Sequence, residues 1–152
     1  MQLRIPSIIF WAIIILSLIG FTDAAFLLAK RISGTPIPCF ITSGCDTVSK
    51  SPYSVLFGVP LSAWGVLFYL GTGFLALFCV TSASDPRQSA SSLLVAKLIP
   101  LATTLGFLSS LYFLYIQKIK IGAFCIYCIL SAIVSTVLFG LGVVVYKKLQ
   151  TK

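Results

Sequence analysis

The sequence has no histidine, only three acids (Asp23, Asp46 and Asp85), and 9% charged residues in 152. A soluble domain carries roughly 25% charged residues. Too few polar side chains remain to cover a water-facing surface, so the solvent of this chain is largely lipid. Without histidine, a zinc site would have to be built from cysteine alone, with the unusual spacings C-x5-C and C-x-x-C. Internal repeats and low-complexity tracts are also lacking, which leaves one domain over residues 1–152. The net charge of +8 comes from 11 Lys and Arg. They are scattered over termini and short loops with no basic face, so nucleic acid is excluded as a partner and membrane-flanking charges are indicated.

What is present is hydrophobic: 59% of the residues. Four apolar runs predict helices over about 6–29, 58–80, 92–116 and 122–145. The fold expected is an all-α integral membrane protein, a four-transmembrane-helix bundle. Each run is long enough to cross a hydrocarbon core about 30 Å thick. The first run extends past the poor cleavage site around Ala24 and is longer than a signal-peptide core, so it reads as a retained span. Pro60 suits the first turn of the second helix. Gly65, Gly71 and Gly73 permit close helix approach. Pro100 is a possible kink in the third. Asp23 lies inside the first helix, where an acid is expensive and faces protein or water. It is either a hydrogen-bonded acid near the interface or a polar contact beside a substrate pocket.

Residues 32–57 form the one long polar connection, a lid. Gly34, Pro36 and Pro38 forbid a helix at its start. Asp46 or Thr47 can cap a short helix that Pro52 interrupts. Residues 54–57 are apolar enough to lie flat on the bundle.

Four of the five cysteines fall on the lid side: Cys39 and Cys45 in the lid, Cys125 and Cys128 at the start of the last helix. Cys79 lies at the far end and reads as an apolar filler. On a helix, i and i+3 share a face at a spacing short enough for a disulfide. Zinc and two inert disulfides are the competing readings, but a bridge across one helical turn staples almost nothing. A relay of exchangeable disulfides accounts for both pairs. Exchange proceeds by thiolate attack through a mixed disulfide. A mobile loop pair can meet an external protein, and a fixed helix pair can stand beside a lipid-borne acceptor. Cys125, near a helix N-terminus, is favoured as a thiolate. Lys and Arg are balanced between the two sides. The gathered cysteines suit an oxidising exterior, which puts the termini in the cytosol and the cysteines toward the periplasm or an equivalent lumen. The aromatic residues Phe107, Tyr112, Phe113 and Tyr115 are either an interfacial belt or the wall of a ring-binding pocket.

Cys39-x5-Cys45, Asp46, Ser51-Pro52-Tyr53, Phe57-Gly58-Val59-Pro60-Leu61 and Cys125-Ile126-Tyr127-Cys128 together resemble the bacterial branch of the vitamin K epoxide reductase family over about residues 8–146. The resemblance implies a four-helix bundle around a quinone (ubiquinone or menaquinone), no metal, and electron flow from a periplasmic thioredoxin-like protein into that quinone. It implies an inner-membrane thiol:quinone oxidoreductase that drives disulfide formation. By position, Cys39 exchanges with the partner, Cys45 attacks Cys125, Cys128 faces the quinone, and Ser51 bonds near the helix pair. Many bacterial members carry a fused thioredoxin-like domain after the last helix. This chain stops at Lys152, which implies a separate partner. Animal members have Asn in the lid helix and Tyr one turn after the second helix cysteine. Ser54 and Ala132 stand there, which favours a plain quinone over the epoxide. Ser54, Phe107, Tyr112, Tyr115, Phe124 and Tyr127 are the candidate quinone contacts. The rivals are an animal-type epoxide reductase and a non-catalytic four-span protein with structural disulfides.

Overall fold

The computed structural model describes residues 6–39, 44–82 and 89–150. Side chains are described from Leu94 onward in the third span. The elements are α1 Ser7–Ile32, a short helix α2 Cys45–Lys50, a one-turn 3-10 segment Pro52–Ser54, a hairpin β1 Val55–Leu56 and β2 Val59–Pro60, then α3 Leu61–Ser82, α4 Ser89–Ile116, a π-helical turn Gln117–Ile121, and α5 Ile126–Gln150. Helices α1, α3, α4 and α5 are long and apolar enough to cross a membrane. The shortest, α3 with 22 residues, spans about 33 Å at ~1.5 Å per residue. The protein is an all-α four-helix membrane bundle.

The four helices pack in a ring, α1 on α3, α3 on α4, α4 on α5 and α5 on α1. Ile13, Ile99, Leu138 and Val145 are fully buried along its axis. Large apolar side chains such as Leu67, Phe74 and Leu101 point outward, as expected where lipid is the solvent. Small residues set the helix spacing. A Cβ on Gly65 would fall 3.2 Å from Ala24, and one on Gly73 would fall 3.3 Å from Ser17, so these two allow α1 and α3 to approach. Gly71 does not: it faces open space. Pro100 sits inside α4 without ending it, and Thr104 Oγ1 donates to its carbonyl at 2.7 Å.

Several element boundaries depart from the sequence expectation: α1 runs on to Ile32 rather than 29 and α5 to Gln150 rather than 145, and the starts of α3, α4 and α5 move as well. Helix α3 begins at Leu61, because Pro60 pairs with Val55 across the hairpin. Phe57 and Gly58 form its two-residue turn, both with positive φ, 54° and 79°. That is the pattern of a primed turn, whose twist matches the strands. The apolar stretch 54–57 therefore does not lie flat, and Phe57 is 88% exposed at the tip. Helix α5 begins at Ile126 rather than 122, because Gly122 takes a left-handed φ of 67° that ends the π-helical turn. Helix α4 begins at Ser89, three residues earlier than expected.

In the lid, α2 is preceded by Gly44 with no side-chain cap. Asp46 does not cap it. Its carboxylate sits in the first turn and pairs with Lys50 at 2.6 Å.

Candidate functional site

The lid is held on the bundle by a second, smaller apolar cluster. Ile37, Cys45, Val48 and Cys125 are its buried members, with Cys39, Cys128, Phe26 and Tyr127 packed against them. Gly44 lets this happen. A Cβ there would come within 2.7 Å of the Phe124 carbonyl oxygen and 2.9 Å of its nitrogen. Backbone meets backbone, and Cys45 is delivered against the segment that carries Cys125. Tyr127 ties the same corner: its hydroxyl donates to the Pro38 carbonyl at 3.1 Å, and its ring lies 5.3 Å from that of Phe26.

Cys39 and Cys45 form a disulfide, with Cα atoms 6.0 Å apart. Cys39 is half-buried, whereas Cys45 is completely enclosed. Cys125 and Cys128 are free thiols. Among the described residues no group of three potential metal ligands gathers.

The helix pair is arranged differently from two neighbours on one helical face. Cys125 stands just before α5, and its carbonyl accepts from Ile129 N–H at 3.1 Å, as an N-cap residue does. Its sulfur is therefore placed where side chains of N-cap residues accept from the next exposed N–H groups. The Cys128 thiol donates to Cys125. Together with the N–H groups of Cys128 and Tyr127, it lowers the Cys125 thiol from its ordinary 9.0 to about 7, against the opposing effect of burial. The backbone N–H of Cys125 donates to Gln117 Oε1 at 3.1 Å, and Gln117 is buried. Sequence reading treats it only as part of a turn. The signal available is a lone amide between an apolar helix and two lysines.

Cys125 and Cys128 line a cavity of about 370 Å³ between the four helices and the lid. Ser51 and Ser54 also line it, but their hydroxyls are spent locally. Ser51 Oγ donates to the Val48 carbonyl at 2.8 Å, not to the cysteine pair. Ser54 Oγ lies 2.6 Å from the carbonyls of Ser49 and Ser51 and accepts from Arg31 at 2.7 Å. Arg31 also bonds the Ser49 carbonyl, so one guanidinium fastens the lid to the end of α1.

The structure does not bring the five expected ring contacts to this cavity. Phe107 stacks on Phe139, with ring centroids 4.7 Å apart. Tyr112 and Tyr115 are exposed on the outer face of α4, and Phe124 is exposed beside the lid. Tyr127 belongs to the lid cluster. The physical reason lies in α4: Phe113, the neighbour of Tyr112, turns inward, and Tyr112 packs edge-on against it from outside. The aromatic walls are instead Trp64, Phe68, Tyr69 and Phe113, with Tyr53 from the lid. Tyr69 is buried beside Gly20, where any side chain would meet its ring. Its hydroxyl lies 2.7 Å from Ser131 Oγ and 3.0 Å from the Ser131 carbonyl. Ser110 and Ser135 pair at 2.7 Å between α4 and α5. Asp23 lines the cavity from α1.

Comparison with known proteins agrees with this layout. The family described as the vitamin K epoxide reductase family matches residues 11–143. The thiol-disulfide oxidoreductase LTO1 of Arabidopsis thaliana is 35% identical over 132 residues, which cover 80% of this chain and 32% of that protein. The chain thus spans about a third of that relative's length. The family match runs through all four spans and takes in both cysteine pairs, and the chain belongs to the vitamin K epoxide reductase family.

Proposed function

We propose that this chain is a membrane thiol:quinone oxidoreductase that forms disulfides in a thioredoxin-like partner. One observation carries the reading: the Cys39–Cys45 disulfide and the Cys125/Cys128 thiols share one buried cluster, and the second pair opens into an aromatic-walled cavity. The relative's name, a thiol-disulfide oxidoreductase, is of the same kind.

The steps balance. A partner thiolate attacks the more accessible sulfur, Cys39. The partner's second thiol then closes its own disulfide, leaving Cys39 and Cys45 reduced. Cys45 thiolate next attacks an oxidised Cys125–Cys128 bridge at Cys125 and frees Cys128. Cys39 resolves the mixed disulfide, restoring Cys39–Cys45 and leaving Cys125 and Cys128 as thiols. An oxidised outer pair with a reduced inner pair is the state in which two electrons have moved inward and not yet left.

The cavity suits a quinone ring. Its volume falls within the roughly 300–1,000 Å³ of ligand pockets, and Phe68, Tyr69, Phe113 and Trp64 offer flat apolar faces. A bound quinone, ubiquinone or menaquinone, supplies a sink for two electrons and two protons. Cys128 provides the thiol beside it, and the enclosing helices exclude water. The bundle sits in an inner membrane with its termini in the cytosol and the lid toward the periplasm or an equivalent lumen, where the lid meets the thioredoxin-like partner.

The test uses purified protein in lipid discs with a reduced thioredoxin-like dithiol and short-chain ubiquinone or naphthoquinone. Wild type oxidises the dithiol and reduces the quinone in equal amounts. Cys39→Ser or Cys45→Ser stops dithiol oxidation, and Cys128→Ser stops quinone reduction. Undiminished turnover in Cys128→Ser defeats the proposal.

A further inference from the structure

Asp23 is used by none of these steps, yet it is the single acid among the described residues of the four spans. It is only 8% exposed. Its Oδ2 makes no hydrogen bond, and among the described buried side-chain atoms only Ser17 Oγ shares that state. Asp23 lines the cavity, and Ser17 does not. A bare carboxyl oxygen inside a low-dielectric cavity is costly and is available to a ligand in a way its neighbours are not. Tyr69 is engaged with Ser131, Ser110 with Ser135, Gln117 with Cys125, and Arg31 with the lid.

We propose that Asp23 is a catalytic proton carrier of this cavity, donating a proton to a quinone oxygen as the ring is reduced and taking one back from the thiol pair. This rests on the quinone reading above. The accounting closes. Cys125 and Cys128 lose two protons and two electrons as their disulfide forms, and the ring gains both. Asp23 passes one of those protons and ends as it began. Nothing else is consumed.

The groups that face Asp23 across the cavity are few: Arg31 from its own helix, Tyr53 from the lid, Tyr69 from α3, and Cys125 and Cys128 from the start of α5. Helix α4 and the turn after it offer Ser109, Ser110 and Gln117, none of which titrates.

The experiment compares wild type, Asp23→Asn and Asp23→Glu, each checked for an intact Cys39–Cys45 disulfide and a wild-type melting temperature. Pre-reduced protein is mixed with short-chain ubiquinone and quinone reduction is followed over one turnover from pH 5 to 9. General acid–base catalysis contributes about 10²–10⁴-fold. Asp23→Asn is therefore slowed by about 10²-fold or more and loses one ionisation from its pH profile, and Asp23→Glu recovers most of the rate. A second readout needs no quinone. Infrared difference spectra of wild type between its dithiol and disulfide states show a protonated-carboxyl band that responds to the thiols and is missing in Asp23→Asn. An unchanged rate and pH profile in Asp23→Asn overturns the inference and leaves the quinone reading standing. So does a carboxyl band indifferent to the thiols, which covers the case of a variant that does not fold. Failure of wild type to reduce the quinone removes both.

Discussion

Replacing Cys128 by alanine should make Cys125 a weaker acid, and the size of the change follows from its surroundings. The Cys128 thiol is the first cause of the low Cys125 value, about 7 against an ordinary 9.0. With that donor gone, two backbone N–H groups are left against burial, and the midpoint moves back toward 9. At pH 7 a thiol of pKa 7 is half ionised, and one of pKa 9 is about 1% ionised, roughly a 50-fold loss of thiolate. Nucleophilicity rises with basicity with a slope of ~0.4–0.5, which returns about 8-fold over that interval. Alkylation of Cys125 at pH 7 therefore slows about 6-fold, while at pH 10 it becomes faster than in wild type. The assay is the rate of iodoacetamide labelling against pH in reduced, Cys79→Ala protein, with the outer pair kept as its disulfide. Burial scales the rate alike at every pH, so the midpoint carries the test. Cys128→Ser keeps an O–H donor and holds the midpoint near 7. A midpoint that stays near 7 in Cys128→Ala, or that moves equally in both variants, refutes the assignment of the cause. The sign also fixes a stability trend. The folded thiol binds its proton less tightly than the unfolded one, so this group stabilises the reduced fold fully above pH 9, and the contribution is lost as pH falls through 7.

Three further outcomes follow from single contacts. Gly44→Ala places a methyl against the Phe124 backbone, at an overpacking cost of about 1–3 kcal/mol. It lifts the lid, so exchange between the two cysteine pairs slows while the melting of the spans is unchanged; thiol-trapping time courses read this. Arg31→Leu removes the charged bonds to Ser49 and Ser54, worth about 1.5–3 kcal/mol each. Amide exchange over residues 44–60 then quickens by about 10-fold or more, and unchanged protection there would contradict the fastening role. Gln117→Leu leaves the Cys125 N–H buried and unpaired, a cost of about 1–3 kcal/mol. Gln117→Glu keeps the acceptor and holds stability closer to wild type in detergent unfolding.

The spans are legible in the sequence because four runs of apolar residues admit no other burial than lipid. The cysteine grouping is legible because the spans alternate direction and set Cys39, Cys45, Cys125 and Cys128 at one end. Which face of each helix looks inward is not. In a bilayer both faces are apolar, so no periodic contrast separates Phe113 from Tyr112, or Phe68 and Tyr69 from Leu67 and Leu70. The informative positions are the rare ones. Asp23 inside one span and Gln117 at the end of another both turn to the cavity, and Gly20 and Gly44 mark where a ring or a backbone comes close. The ends of elements were hidden for a different reason. Gly122 and the Phe57-Gly58 turn take left-handed backbone that composition alone does not announce. The start of α5 at Ile126 follows from it, and so does the N-cap placement of Cys125.

The central claim is that electrons pass from the lid pair to the helix pair by direct sulfur exchange. The measurement that tests it most directly uses a Cys39→Ser, Cys79→Ala, Cys128→Ser variant, which retains only Cys45 and Cys125. Under mild oxidation, peptide mapping by mass spectrometry should find these two joined within one chain in high yield. A folded variant in which both stay as thiols, or bridge only between separate chains, would contradict the account.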